Sequence, residues 1–287
     1  PISIWRVDDR MVRLVQTVPV TRPVSCITSS QHPFLLAAAS GEDIFIFNSE
    51  IKQTNTVSIP INASRIYLSP DGSCLIAISA DKEMRILRTG DEPEVSNLKI
   101  ENVSAAAFYG NDSHHIVADV GGCLNYIDAK TESIITVSDA LPFESKVICA
   151  DKNRILVTGF HKRLRESAVV EVRFINQEPV ITRVVHPANT LITTMSLTPK
   201  TVAVGTREGH ILVLNRSSLG RARVKKFVHS KPITAVLSID KHVISSSSDG
   251  LIMLTPNRVN TGFIASLFFV VLCSIWMFFF VLNVFRD

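Results

Sequence analysis

Cysteine is scarce in this chain, and no two cysteines stand close enough to form a motif. Cys26, Cys74, Cys123, Cys149 and Cys273 are odd in number, far apart and mostly set inside apolar runs, where a free thiol behaves as a small hydrophobe. That pattern excludes a Cys-x-x-Cys site, argues against a disulfide framework and leads us to expect a reducing compartment. Also missing are a Gly-x-x-x-x-Gly-Lys-Ser/Thr phosphate loop, a His-Glu-x-x-His helix and a Gly-x-Ser-x-Gly elbow. Ser79–Lys82 and Ser238–Lys241 fit Ser-x-x-Lys, but both fall where turns are expected. His114 and His115 open a strand after a turn, without companion ligands at metal spacing, and read as part of a solvated turn; no metal site is expected. Charge of one sign is also lacking: 30 Lys and Arg against 26 Asp and Glu leave a net charge of only +4, too mild for a dedicated nucleic-acid binder. No apolar run at the N-terminus could act as a signal peptide. With no acid–base or nucleophilic constellation, the chain reads as a binding platform rather than a catalyst.

What is present begins with the C-terminal end. From Phe263 to Leu282 the sequence runs FIASLFFVVLCSIWMFFFVL, 20 residues with no charge, Pro or Gly. At about 1.5 Å per residue a helix of that length spans ~30 Å, the hydrocarbon thickness of a bilayer. A buried core helix would carry a polar stripe, and none is seen. Residues 263–285 are therefore expected to form a transmembrane anchor, with Phe263, Phe268, Phe269, Trp276 and Phe280 on its apolar surface. Residues 257–262 would be a short linker and 286–287 a lumenal tail. The flanking Arg258 and Arg286 are one on each side, so the positive-inside rule does not choose an orientation. Without a signal peptide, residues 1–256 are expected to stay in the cytosol. The Asn-x-Ser sequons at Asn62, Asn102, Asn111 and Asn215 should then carry no glycan.

The remainder shows no long amphipathic helix. Short apolar runs alternate with polar turns and recur: FLLAAASGEDIFIFN from Phe34, CLIAISADKEMRIL from Cys74, HIVADVGGCLNYID from His115, TVAVGTREGHILVLN from Thr201 and HVISSSSDGLIMLTP from His242. Each is strand, tight turn, strand, with turns near Gly41, Lys82, Gly122, Gly209 and Gly250. The double gap between the third and fourth turns is filled by Arg154–Asn176, a similar pair with a longer connection. One more short strand precedes most pairs, beginning near Val24, Ser64, Val103, Lys146, Ile192 and Ile233. Ser69-Pro70-Asp71-Gly72 has the composition of a β-turn. Four short strands in a period of ~40 to 45 residues are the mark of a β-propeller of WD-repeat type. The usual Gly-His and Trp-Asp pairs are absent from their places, so the repeat is degenerate. Residues 1–8 and 11–20 resemble the last two strands of an earlier unit, and the final unit supplies only three strands. This predicts an all-β, seven-bladed propeller over residues 1–256 with a truncated first blade. The rival reading is a six-bladed ring whose N-terminal strands close the last blade.

Two basic clusters stand out. His161, Lys162, Arg163 and Arg165 lie in the connection between two strands, and Arg221, Arg223, Lys225 and Lys226 lie on a strand near the outer edge of a blade. Each reads either as a solvated surface or as a patch for an acidic partner or lipid head groups.

Taken in order, GFHKRLRESAVVEVRFI, GTREGHILVLN, SSLGRARVKKFVHSKPITAVLSI and a three-stranded unit running into an anchor helix resemble one family. They are similar to the membrane-anchored WD-repeat guanine nucleotide exchange factors of Sar-type GTPases, the prolactin regulatory element-binding protein family of the endoplasmic reticulum. The resemblance covers most of the chain and is sharpest from about His161 to Pro256. It implies a monomer in the endoplasmic reticulum membrane that loads GTP onto a Sar-type small GTPase and so starts COPII coat assembly. Such an exchange factor needs no catalytic group, only a higher affinity for the nucleotide-free GTPase. The family's Gly-rich loop, which holds a potassium ion, is expected upstream of Pro1, because PISIWRVD resembles the strand that follows it. No exchange residue and no cofactor are therefore assigned to this chain. A tail-anchored scaffold for trafficking proteins, without exchange activity, is the alternative; an enzyme acting on a ligand in the propeller channel has no supporting residue.

Overall fold

A computed structural model of the chain describes residues 2–256, apart from 8–11, 21, 32–33, 49–52, 91–92, 111–112, 137–140, 142, 152–153, 162–164, 176–177, 189, 226–227 and 240–241. It is all β. An N-terminal pair, β1 (Ile2–Val7) and β2 (Val12–Val18), precedes the first blade of β3 (Cys26–Gln31), β4 (Phe34–Ser40), β5 (Asp43–Phe47) and β6 (Gln53–Ser58). The second blade holds β7 (Ala63–Leu68), β8 (Cys74–Ser79), β9 (Met84–Arg88) and β10 (Glu94–Ile100), and the third β11 (Val103–Phe108), β12 (His115–Val120), β13 (Cys123–Asp128) and β14 (Ser133–Thr136). The fourth holds β15 (Ser145–Asp151), β16 (Arg154–His161), β17 (Glu166–Ile175) and β18 (Glu178–Ala188). The fifth holds β19 (Ile192–Leu197), β20 (Thr201–Thr206), β21 (Ile211–Asn215) and β22 (Arg221–Lys225). The sixth has three strands, β23 (Ile233–Ser238), β24 (His242–Ser247) and β25 (Ile252–Pro256). Every blade is an antiparallel meander in chain order.

Turn chemistry dictates this layout. Between the second and third strands of every blade the chain turns through a positive φ, at Gly41, Lys82, Gly122 (with Gly121 before it), Arg165, Gly209 and Gly250. Four of the six turns use glycine, which reaches that region at no steric cost. The Ser69–Gly72 turn forms as expected, with Gly72 N donating to Ser69 O at 2.9 Å and Gly72 at φ 72°.

The core is not one body but a series of layers between blades, as expected where each sheet can bury a face only against its neighbour. Ile44, Val57, Ile66 and Leu75 pack between the first two blades, and Ile76, Ile86, Phe108 and Ile116 between the second and third. Comparable layers follow between the third and fourth, fourth and fifth, and fifth and sixth.

Six blades stand where the sequence led us to expect seven. Strands β1 and β2 pair with each other, from Ile2 opposite Val18 to Val7 opposite Val12, and form a separate two-stranded sheet. Ile2 is buried against Ala38 and Phe47 of the first blade, while Leu14 and Val15 on β2 are about half exposed. Two strands do not make a blade that can cover two neighbours, and the pair covers the face of the first blade turned away from the second. Nor does it close the sixth: the three-stranded sheet ends at β25, where Leu251 and Ile252 are exposed. Among the described residues no helix is long and apolar enough to cross a membrane. The linker, the apolar run 263–285 and the tail expected after residue 256 lie outside the described residues.

Candidate functional site in the central channel

The innermost strand of five blades slips register at its second residue, between Ala63 and Arg65, Val103 and Ala105, Ser145 and Val147, Ile192 and Thr194, and Ile233 and Ala235. A bulged residue leaves the ladder and its side chain is re-aimed. The residues concerned are Ser64, Ser104, Lys146, Thr193 and Thr234, and Ser25, just before β3, takes the same place in the first blade through its amide bond to Ala39 O. Five of the six are hydroxyl residues, and they bond locally. Ser25 Oγ donates to Ala39 O at 3.2 Å and to Ala63 O at 2.7 Å. Thr193 Oγ1 donates to Gly205 O at 3.2 Å and to Ile233 O at 2.6 Å. Ala63 and Ile233 each begin the inner strand of the next blade, so these hydroxyls tie neighbouring blades together. Ser64 Oγ donates to Ile78 O at 3.1 Å, Ser104 Oγ to Glu144 Oε1 at 3.2 Å, and Thr234 Oγ1 lies 3.0 Å from Ser246 Oγ.

Lys146 breaks the ring. In its blade two hydroxyls beside it, Ser145 Oγ and Thr158 Oγ1, are buried without a hydrogen-bond partner.

The inner strands surround a central cavity of about 920 Å³. Its wall carries many serine and threonine hydroxyls, the cations Arg65 and Lys146, and no Asp or Glu. Burial pushes the Tyr67 hydroxyl above its usual pKa, against the opposing charge and hydrogen bond of Arg65. Burial likewise pushes the Cys149 thiol up to about 12, and Cys149 Sγ donates to Met195 O at 3.5 Å. Cys26, beside the ring, is raised by burial in spite of its contact with Ser25. Near neutral pH these groups therefore keep their protons.

None of the described residues of the basic clusters lines this cavity. His161 ends β16 and is half-buried, Arg165 is exposed at the turn into β17 with a φ of 53°, and Lys162 and Arg163 lie outside the described residues. Arg221, Arg223 and Lys225 fall on β22, the outer strand of the fifth blade, as the sequence suggested; Lys226 lies outside the described residues. The fold does not bring the two clusters into one site with the channel cations. His114 and His115 are half-buried rather than fully solvated: His115 Nδ1 meets the Tyr126 hydroxyl with the rings 5.2 Å apart, and His114 Nδ1 lies 4.0 Å from Cys74 Sγ.

One constellation escaped the sequence reading. His229 Nδ1 lies 3.1 Å from Asp249 Oδ2, and His229 Nε2 lies 2.8 Å from Ser245 Oγ. The order Asp–His–Ser matches a hydrolase triad, but His229 and Ser245 are almost wholly buried, so no substrate carbonyl can reach the hydroxyl. Burial would raise the Asp249 carboxyl, yet bonds from Leu251 N, Ser230 N and His229 outweigh it and hold the group below its usual range. The network is structural: it fastens the segment entering β23 to the β24–β25 turn. Partners 16 and 20 residues apart gave no local motif by which to find it.

No protein family and no curated protein matches the sequence. Among solved structures, the β-propeller domain of Cps50 (Swd1) from Myceliophteria thermophila aligns with a TM-score of 0.68 at 11% identity, over 86% of this chain and 87% of that one. At that identity the likeness shows the fold alone, a β-propeller of WD-repeat type.

Proposed function

We propose that this propeller is the cytosolic platform of a guanine nucleotide exchange factor for a Sar-type small GTPase, anchored in the endoplasmic reticulum membrane, where it starts COPII coat assembly. The observation that carries the reading is the sequence order around the last blades: the HKRLR connection, the GTREGHILVLN hairpin and a three-stranded unit followed by an uncharged 20-residue run. The length of the chain adds a physical reason. The linker between Pro256 and Phe263 has only six residues, which at ~3.5 Å each reach about 20 Å. A propeller held that near a bilayer meets a membrane-bound GTPase at high effective concentration. Exchange by differential affinity for the nucleotide-free partner asks for a rigid surface and no catalytic group.

The test is to reconstitute the full gene product in lipid vesicles and follow GDP release from a Sar-type GTPase by the tryptophan fluorescence of the GTPase. Release is expected to quicken at least tenfold. Binding of the nucleotide-free GTPase without acceleration would replace this reading with that of a tail-anchored scaffold.

A further inference from the structure

We propose that the channel mouth marked by Lys146 and Arg65 is a binding site for a small, phosphate-bearing anion. Such a site does not depend on exchange activity. Every blade begins with its inner strand and repeats the same meander, so positions early in those strands lie at one end of the channel. Arg65 is the third residue of β7 and Lys146 the second of β15. Both line the cavity, together with Ser64, Thr193, Thr194 and Thr234 from the same level of their strands. The mouth therefore offers two cations and several hydroxyls facing a common space.

Nothing in the wall neutralises them. No carboxylate lines the cavity, and neither Arg65 nor Lys146 makes an ion pair with a described residue. Glu144, two residues before Lys146, is already engaged by Lys82 Nζ at 2.5 Å and by Ser104 Oγ. Lys146 stands where the other blades place a hydroxyl, and beside it Ser145 Oγ and Thr158 Oγ1 are buried without partners. A lysine in that place makes no bond of the kind that ties blades together, so its presence is not explained by the packing of the ring. A phosphate group matches both cations: guanidinium binds it through a two-pronged face and ammonium as a point charge. A volume of about 920 Å³ lies within the range of small-molecule sites.

Inorganic pyrophosphate is the probe. Added to the full chain at low ionic strength, it is expected to raise the melting temperature saturably, with binding measured by titration calorimetry. Lys146→Thr restores the hydroxyl found in the other blades and so should fold; Arg65→Gln keeps the side chain's length. Each should weaken binding about tenfold, the scale of one charge-assisted hydrogen bond. Where either variant proves less stable without ligand, Lys146→Gln and Arg65→Lys serve in its place. Lys162→Ala with Arg163→Ala, in the connection between β16 and β17, should leave affinity unchanged. Vesicles bearing phosphatidylinositol 4-phosphate separate a free anion from a lipid head group. Mutual competition between vesicles and pyrophosphate, lost in the channel variants, would assign the site to the phosphate group itself. No binding of pyrophosphate, unchanged affinity in the channel variants, or loss only in the Lys162/Arg163 variant would each overturn the proposal.

Discussion

Gly209 and Gly250 occupy the same turn in neighbouring blades, yet a methyl group added at each would meet different surroundings. At Gly250, with φ 83°, nothing lies within 4 Å of the added carbon. Gly250→Ala should therefore cost only the conformational penalty, about 1–2 kcal/mol. At Gly209, with φ 79°, the added carbon would lie 2.0 Å from the carbonyl oxygen of His229, and Gly209 O accepts from His229 N at 3.1 Å. The clash is with backbone, so relief requires moving the segment that carries the buried His229–Asp249 pair. Gly209→Ala should cost roughly 1–3 kcal/mol more than its counterpart, and urea denaturation of the two variants against the parent checks the difference. Equal midpoints would show that the His229 segment yields easily. The positions of these turns were legible because glycine between two apolar runs has one main use. Lys82 and Arg165, which hold the same conformation without that advantage, were found only by their place in the period. Lys146 was not singled out at all: its peculiarity shows only when the bulges align it with Ser64, Ser104, Thr193 and Thr234.

Between elements, the joint of the fourth and fifth blades relies on charge. Glu171 on β17 is buried, with Arg154 Nε at 2.8 Å and Arg173 Nε at 2.6 Å from the same carboxylate oxygen. Arg154 also donates to the main-chain oxygen of Arg216 in the next blade, and Arg216 pairs with Asp151. Arg183 Nη1 adds a bond to Ser217 O at 2.8 Å. Glu171→Gln would leave the nearly buried Arg154 without its counter-charge, a loss of about 3–5 kcal/mol. Arg173 is 45% exposed, so Arg173→Ala should cost at most about 1 kcal/mol. Thermal unfolding of both variants decides the matter, and similar losses would mean that the carboxylate keeps a full partner in Arg173. The strands of this joint could be read from the apolar runs in β16 and β17. The ion pairs could not, because partners such as Arg216 and Asp151 stand 65 residues apart and meet only once blades stack. The blade count failed for a related reason. Residues 2–7 and 12–18 do form strands, but periodicity cannot tell two strands of a blade from a hairpin that pairs only with itself.

At the scale of the whole molecule, the proposed anchor makes the sharpest demand on the cell. Residues 263–282 are the only run of this length without charge. At the ~0.8 kcal/mol gained per buried methylene, the aliphatic and aromatic side chains of such a run far exceed what any surface patch could contribute. Cutting the chain after Asn260 should therefore move it entirely from a carbonate-resistant membrane fraction into the soluble fraction. The basic clusters do not change that expectation, since attraction to anionic lipid is about 1 kcal/mol per residue and is removed by salt. A truncated chain that still resisted carbonate would show a second attachment inside the propeller. Orientation follows from the same experiment carried out on sealed microsomes. With the propeller on the cytosolic side, added protease should degrade residues 1–256 without detergent. Asn102 lies in an accessible turn at a positive φ, which makes its sequon a sensitive reporter of the opposite outcome. A mobility shift on glycosidase treatment that disappears in Asn102→Gln would place the propeller in the lumen and remove the GTPase from its reach.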